Sequence, residues 1–185
     1  MRPRHIKVYL IVRITPKKIL RIALIILPVV LIIYYFYPEK PFPKDVIVDK
    51  IEVYKSKSLM LVYSKGQLIK TYNVSTGWHS GQKEYEGDLK TPEGIYSIND
   101  KNPNSDFHKN LGVSYPEADD IKRAHSLGKQ TGGDIKIHGM KNGLGFVGKF
   151  HRWINWTAGC IAITDDEVDE MYAHTPVGTK IEIKP

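Results

Sequence analysis

The chain has one cysteine in 185 residues, Cys160. An internal disulfide is therefore excluded, and the fold must hold through its core alone. Cys160, His138 and His151 have no short ligand spacing among them, so no metal site is expected. Acidic residues are missing from the N-terminal segment: no Asp or Glu precedes Glu39. Seven basic residues stand there instead, Arg2, Arg4, Lys7, Arg13, Lys17, Lys18 and Arg21. They account for the whole formal net charge of +7, because the other 20 Lys and Arg are matched by the 20 Asp and Glu. The remainder is neutral overall. It offers no reason to expect nucleic acid as a partner, since phosphate binding needs basic charge clustered on a folded face.

Charge is also missing after Arg21. Ile19–Tyr37 reads ILRIALIILPVVLIIYYFY, within the roughly 17–25 apolar residues that a spanning helix needs. Pro28 is tolerated in such a helix. Tyr34, Tyr35 and Tyr37 stand where an interfacial aromatic belt belongs. With the basic residues in front, the positive-inside rule places residues 1–18 in the cytoplasm and everything after Tyr37 outside. No small-x-small cleavage site follows the segment, so residues 19–37 are expected to be an uncleaved anchor in the cytoplasmic membrane.

Residues 38–45, PEKPFPKD, carry three prolines and are expected to be a short stiff linker. Residues 46–185 then make one domain of ordinary size. Its first half reads as short strands: Ile47–Tyr54 in alternation, then Ser58–Tyr63 and Gln67–Val74 around the turn Ser64-Lys65-Gly66. Ile95–Ile98, Leu111–Tyr115, Asp134–His138 and Gly178–Ile183 are further strands. Two helices are expected. One is capped by Ser114 with Glu117 and carries Ile121, Ala124 and Leu127 on one face. The other is capped by Thr164 with Glu167 and carries Val168, Met171 and Tyr172. Many short strands with two short helices predict a mainly β domain.

An unpaired thiol outside the cytoplasm is a liability unless it is buried or used. Cys160 follows Thr157-Ala158-Gly159 and precedes an apolar strand, so Gly159 can bring the backbone into a tight turn. Such a turn could aim the Gly159 and Cys160 amides at a developing oxyanion. A thiol needs a base to react. His138, at a strand end before Gly139, is the first candidate, with His151 as its rival. Trp153 and Trp156 are expected to pack rather than line a cleft, and Lys83 and Glu86 to be solvated loop charges.

Ile137-His138-Gly139 followed by Thr157-x-Gly159-Cys160-Ile161 resembles the signature of the L,D-transpeptidases. GDLKTPEGIYSI, Gly132-Gly133-Asp134 and the stretch from Trp156 to the C-terminal GTKIEI resemble that family too. The resemblance spans Asp49 to Ile183 and implies a sandwich- or barrel-like β domain. It implies Cys160 as nucleophile and His138 as base, the latter held by the Gly139 carbonyl, with Gly159 and Thr157 in support. Ala158 stands where many members carry a second His, and Ala162 where many carry Arg. His151 is then a candidate substrate or oxyanion contact. The implied substrate is the peptidoglycan stem peptide: a tetrapeptide acyl group passes to Cys160 with release of D-alanine, and no cofactor is required. An L,D-carboxypeptidase with the same Cys–His pair and a non-catalytic wall-binding module are the competing expectations.

Overall fold

The structure, a computed structural model, describes residues 15–43 and 45–185 and divides the chain into units 1–38 and 39–185. Arg2, Arg4, Lys7 and Arg13 of the basic N-terminus lie outside the described residues. Helix α1 (Pro16–Phe36) starts on a proline, whose missing N–H costs nothing in a first turn. It runs through Pro28, buries none of its side chains, and reaches a mean hydropathy of 2.6. Among the described residues it is the one helix long and apolar enough to cross a membrane.

The second unit is a curled eight-stranded sheet. Its strands are β1 (Lys50–Tyr54), β2 (Leu59–Ser64), β3 (Gln67–Asn73), β4 (Gly94–Ser105), β5 (His108–Val113), β6 (Lys136–His138), β7 (Ile161–Ala162) and β8 (Lys180–Lys184). Their order is β3-β2-β1-β8-β4-β5-β6-β7, with β1–β8 and β6–β7 parallel and the other pairs antiparallel. The C-terminal strand is thus central, held between β1 and β4. Just past β3, Ser75 bridges Ala162 of β7 through reciprocal bonds of 3.0 and 2.8 Å. The two ends of the sheet meet there, which gives the mainly β, barrel-like architecture expected.

Period-two alternation explains most of the strands. Ile51 and Val53 in β1, Met60 and Val62 in β2, and Ile181 and Ile183 in β8 face one core. The β2–β3 turn places Lys65 and Gly66 at φ of 50° and 74°, as a two-residue hairpin requires. At the start of β1 the alternation slips: Val48 is inside and Ile47 is 65% exposed. Glu52 is nearly buried because Lys50, Lys184, Tyr54 and Tyr63 all bond its carboxylate. Led by Lys50, they hold its pKa down at about 2.

Three expectations are corrected. Within the expected linker, Glu39 and Phe42 pack into the second unit. Phe42 enters the core and its amide donates to Glu170, while Glu39 pairs with Lys149 and Arg152. Helix α2 (Ala118–Ser126) is capped by Glu117 with Asp120, while Ser114 donates to Glu117. Of its expected face only Ala124 is buried, because Asp120 takes the inward position to reach Tyr96. Strand β4 runs on to Ser105 through the polar stretch Asp100–Asn104, which carries no apolar alternation. Helix α3 (Asp165–His174) has the Thr164–Glu167 capping box that its sequence predicts.

Candidate active site

Parallel pairing of β6 with β7 sets His138 opposite Ala162 and Ile137 opposite Ile161. Cys160, two residues before Ala162, therefore shares a sheet face with His138 as its diagonal neighbour. Both line a cleft of about 600 Å³ with Phe107, Asn110, Lys136, Trp156 and Ala158. The thiol is half-buried, and no hydrogen bond joins it to His138 among the described residues; Sγ lies 3.6 Å from the Asp134 carbonyl oxygen.

Local chemistry explains how Cys160 is presented. Gly159 has φ of 139°, and a Cβ there would lie 2.8 Å from the Lys90 carbonyl oxygen and 3.1 Å from Ile135. Only glycine fits. Thr157 Oγ1 donates to the Cys160 carbonyl at 2.7 Å and accepts from the Gly159 amide at 3.2 Å. That second bond takes the Gly159 amide out of the pair expected to face an oxyanion. Asp88 organises the neighbouring segment by accepting from the amides of Glu84, Tyr85 and Lys90 and from the Lys83 ammonium at 2.7 Å. Lys83 is therefore buried, 3% exposed, rather than a solvated charge, whereas Glu86 is exposed.

The His138 ring donates from Nδ1 to the Gly139 carbonyl at 2.6 Å, taking the neutral tautomer that leaves Nε2 as the acceptor. Gly139 is held in turn by helix α3. Asp165 Oδ1 accepts from the Met140 amide at 2.7 Å, and a Cβ on Gly139 would lie 2.6 Å from that oxygen. Phe107, at the tip of the β4–β5 hairpin, packs on His138 at 4.6 Å; Trp156 meets the imidazole edge-on at 5.8 Å. Trp156 thus lines the cleft, contrary to expectation, and Trp153 is 60% exposed. Burial lowers the His138 pKa and raises that of Cys160 against the opposing pull of the Lys136 amide. Both shifts favour the uncharged forms, thiol and imidazole.

His151 sits elsewhere. It is 4% exposed and does not line the cleft; its Nδ1 is 3.3 Å from Ser75 Oγ, which donates to the His151 carbonyl at 2.7 Å. Burial, then Arg152 and His138, push its pKa down to about 4. Asp165, Asp88, Asn110 and Phe107 were not singled out from the sequence. Asp88 and Asp165 were visible only as parts of a family-like stretch and a helix first turn. Asn110 and Phe107 sit on a hairpin whose polar residues hid it.

A curled sheet that presents a thiol and an imidazole in one cleft defines the class, a mainly β domain built around a cysteine–histidine site. Residues 48–183 match the YkuD family, the L,D-transpeptidase catalytic domain, and the chain belongs to that family. It is 29% identical over 129 residues to the putative L,D-transpeptidase YafK of Escherichia coli K12, covering 66% of this chain and 45% of YafK. The crystal structure of the helical cell shape determining protein Pgp2 from Campylobacter jejuni superposes with a TM-score of 0.57 at 26% identity. That match covers 76% of this chain and 49% of Pgp2. An L,D-transpeptidase from Mycobacterium smegmatis shares the fold, with a TM-score of 0.51 at 13% identity over 75% of this chain and 59% of the other. The chain spans about half the length of the first two relatives.

Proposed function

We propose that the protein is a peptidoglycan L,D-transpeptidase that works through a thioester on Cys160. The observation that carries this reading is the placement of Cys160 and His138 on one face of adjacent parallel strands, with His138 Nδ1 tied to Gly139 and Nε2 left as acceptor.

The donor is a tetrapeptide stem whose diaminopimelate L-centre carbonyl is bonded to D-alanine. His138 Nε2 takes the thiol proton as Sγ attacks that carbonyl, forming a C–S bond. The tetrahedral intermediate collapses, the C–N bond breaks, and the imidazolium returns the proton to the departing amine. An amine of a neighbouring stem then attacks the thioester. His138 removes the proton from that amine as the new C–N bond forms; the C–S bond then breaks and the imidazolium returns the proton to the departing thiolate. Water in place of the amine gives a carboxypeptidase from the same intermediate.

In this reading the chain works with Ala158 and Ala162 in place of the His and Arg that many members carry. Ala162 is fully buried opposite His138. Ala158 leaves the cleft mouth open. In this reading α1 anchors the domain on the outer side of the cytoplasmic membrane, within reach of the wall.

Intact-mass measurement of the chain incubated with a disaccharide-tetrapeptide tests the reading, with Cys160→Ala beside it. An adduct of donor minus D-alanine on the wild type alone is expected, and its decay products identify amine or water as acceptor. A folded protein that forms no adduct and releases no D-alanine refutes it and favours a wall-binding module.

A further inference from the structure

Two buried polar atoms of the cleft lack a partner, and they are complementary. Asn110 Oδ1 is an acceptor on a side chain 2% exposed, and Trp156 Nε1 is a donor; neither makes a hydrogen bond. Both residues line the cleft that holds Cys160 and His138. Leaving such atoms unpaired in a folded protein is costly, and native proteins rarely do so without a reason.

Strand register shows how close they lie to the reacting pair. Asn110 faces His138 directly across β5–β6. The adjacent pair, Lys109 with Gly139, carries the ladder bond at 3.3 Å. Asn110 and His138 are thus a non-hydrogen-bonded pair, the kind whose side chains approach most closely. Trp156 reaches the same imidazole from the other direction, with ring centres 5.8 Å apart. The base is flanked by an unused acceptor and an unused donor.

We infer that Asn110 and Trp156 form a subsite for one extended residue of the bound peptide, whose N–H donates to Asn110 Oδ1 and whose C=O accepts from Trp156 Nε1. An extended residue presents its N–H and C=O on the same side, which matches one acceptor and one donor set apart in a single cleft. The subsite rests on the proposed stem-peptide substrate and would hold that peptide beside His138. Neither atom touches solvent in the free protein, so the bound peptide must displace the side chains that cover them.

The test uses the full chain in detergent micelles. The tetrapeptide L-Ala-γ-D-Glu-diaminopimelate-D-Ala is titrated calorimetrically into Cys160→Ala, alone and combined with Asn110→Leu or Trp156→Phe. Each added change should weaken binding by about tenfold. The ligand-free thermal midpoint should hold or rise, because each removes an unpaired buried polar atom and keeps most of the side-chain volume. Unchanged binding in both variants overturns the subsite, as does a midpoint that falls with Asn110→Leu, the mark of a structural hydrogen bond. Failure of Cys160→Ala to bind the tetrapeptide overturns it too. Binding without a thioester on the wild type would instead overturn the catalytic reading and leave the subsite standing.

Discussion

Acidification should expose the cost of burying His151. Its folded pKa lies at about 4 against an ordinary 6.5. A depressed folded pKa gives stability that is complete above the unfolded pKa and is lost as pH falls toward the folded one, because only the unfolded chain takes up the proton. At about 1.36 kcal/mol per unit, the fall from pH 6.5 to 5 removes about 2 kcal/mol, and the fall to pH 4 about 3 kcal/mol. His138, also lowered by burial, adds to the loss in the same direction. A native-minus-variant comparison with His151→Phe isolates the first contribution. Near pH 7 the variant forfeits only the 3.3 Å contact with Ser75, which keeps its 2.7 Å bond to the residue 151 carbonyl. The cost there should be about 1 kcal/mol or less. Urea unfolding of residues 39–185 at pH 7, 6 and 5 provides the free energies. The variant should overtake the native protein as pH falls, and a difference that stays flat from pH 7 to 5 refutes the reasoning.

Four further outcomes follow from named contacts. Asp88→Ala strands the buried Lys83 ammonium and frees three backbone amides, so urea unfolding should show a loss of about 3–5 kcal/mol. Glu86→Ala in the same loop should stay within about 0.5 kcal/mol. Gly159→Ala forces a Cβ against the Lys90 carbonyl at positive φ, so acylation of Cys160 measured by mass should fall at least about tenfold while circular dichroism shows a folded sheet. With the Cys160 pKa raised and that of His138 lowered, kcat/KM should be flat through neutral pH. Its acid limb should lie below pH 6.5 and its alkaline limb above pH 9.0, and a thiolate absorbance near pH 7 would contradict the neutral pair.

That Cys160 and His138 line one cleft fits their short motifs, in which each has a local reason for its neighbours. Gly139 and Gly159 mark places where no Cβ fits, and Thr157 closes the turn that carries the thiol. Trp156 was misread because packing and lining look alike in a chain: the same indole does both, stacked with Phe107 and T-shaped to His138. Lys83 was misread because its partner, Asp88, lies five residues on in a loop with no periodicity to announce it.

What the sequence determined by itself is therefore local: the apolar run that becomes α1, the alternating strands, the Thr164 capping box, the Lys65-Gly66 turn and the glycines that flank Cys160 and His138. These depend on backbone geometry and side-chain period over a few neighbours. Tertiary structure decided the rest, because it depends on contacts between distant residues. Closure of the sheet through Ser75 and Ala162 joins residues far apart in the chain. It is the parallel β6–β7 register that brings Cys160 beside His138, and the polar β4–β5 hairpin that delivers Phe107 and Asn110 to the cleft. Burial then pushes the thiol pKa up and the imidazole pKa down, a shift that neither residue carries in its own sequence.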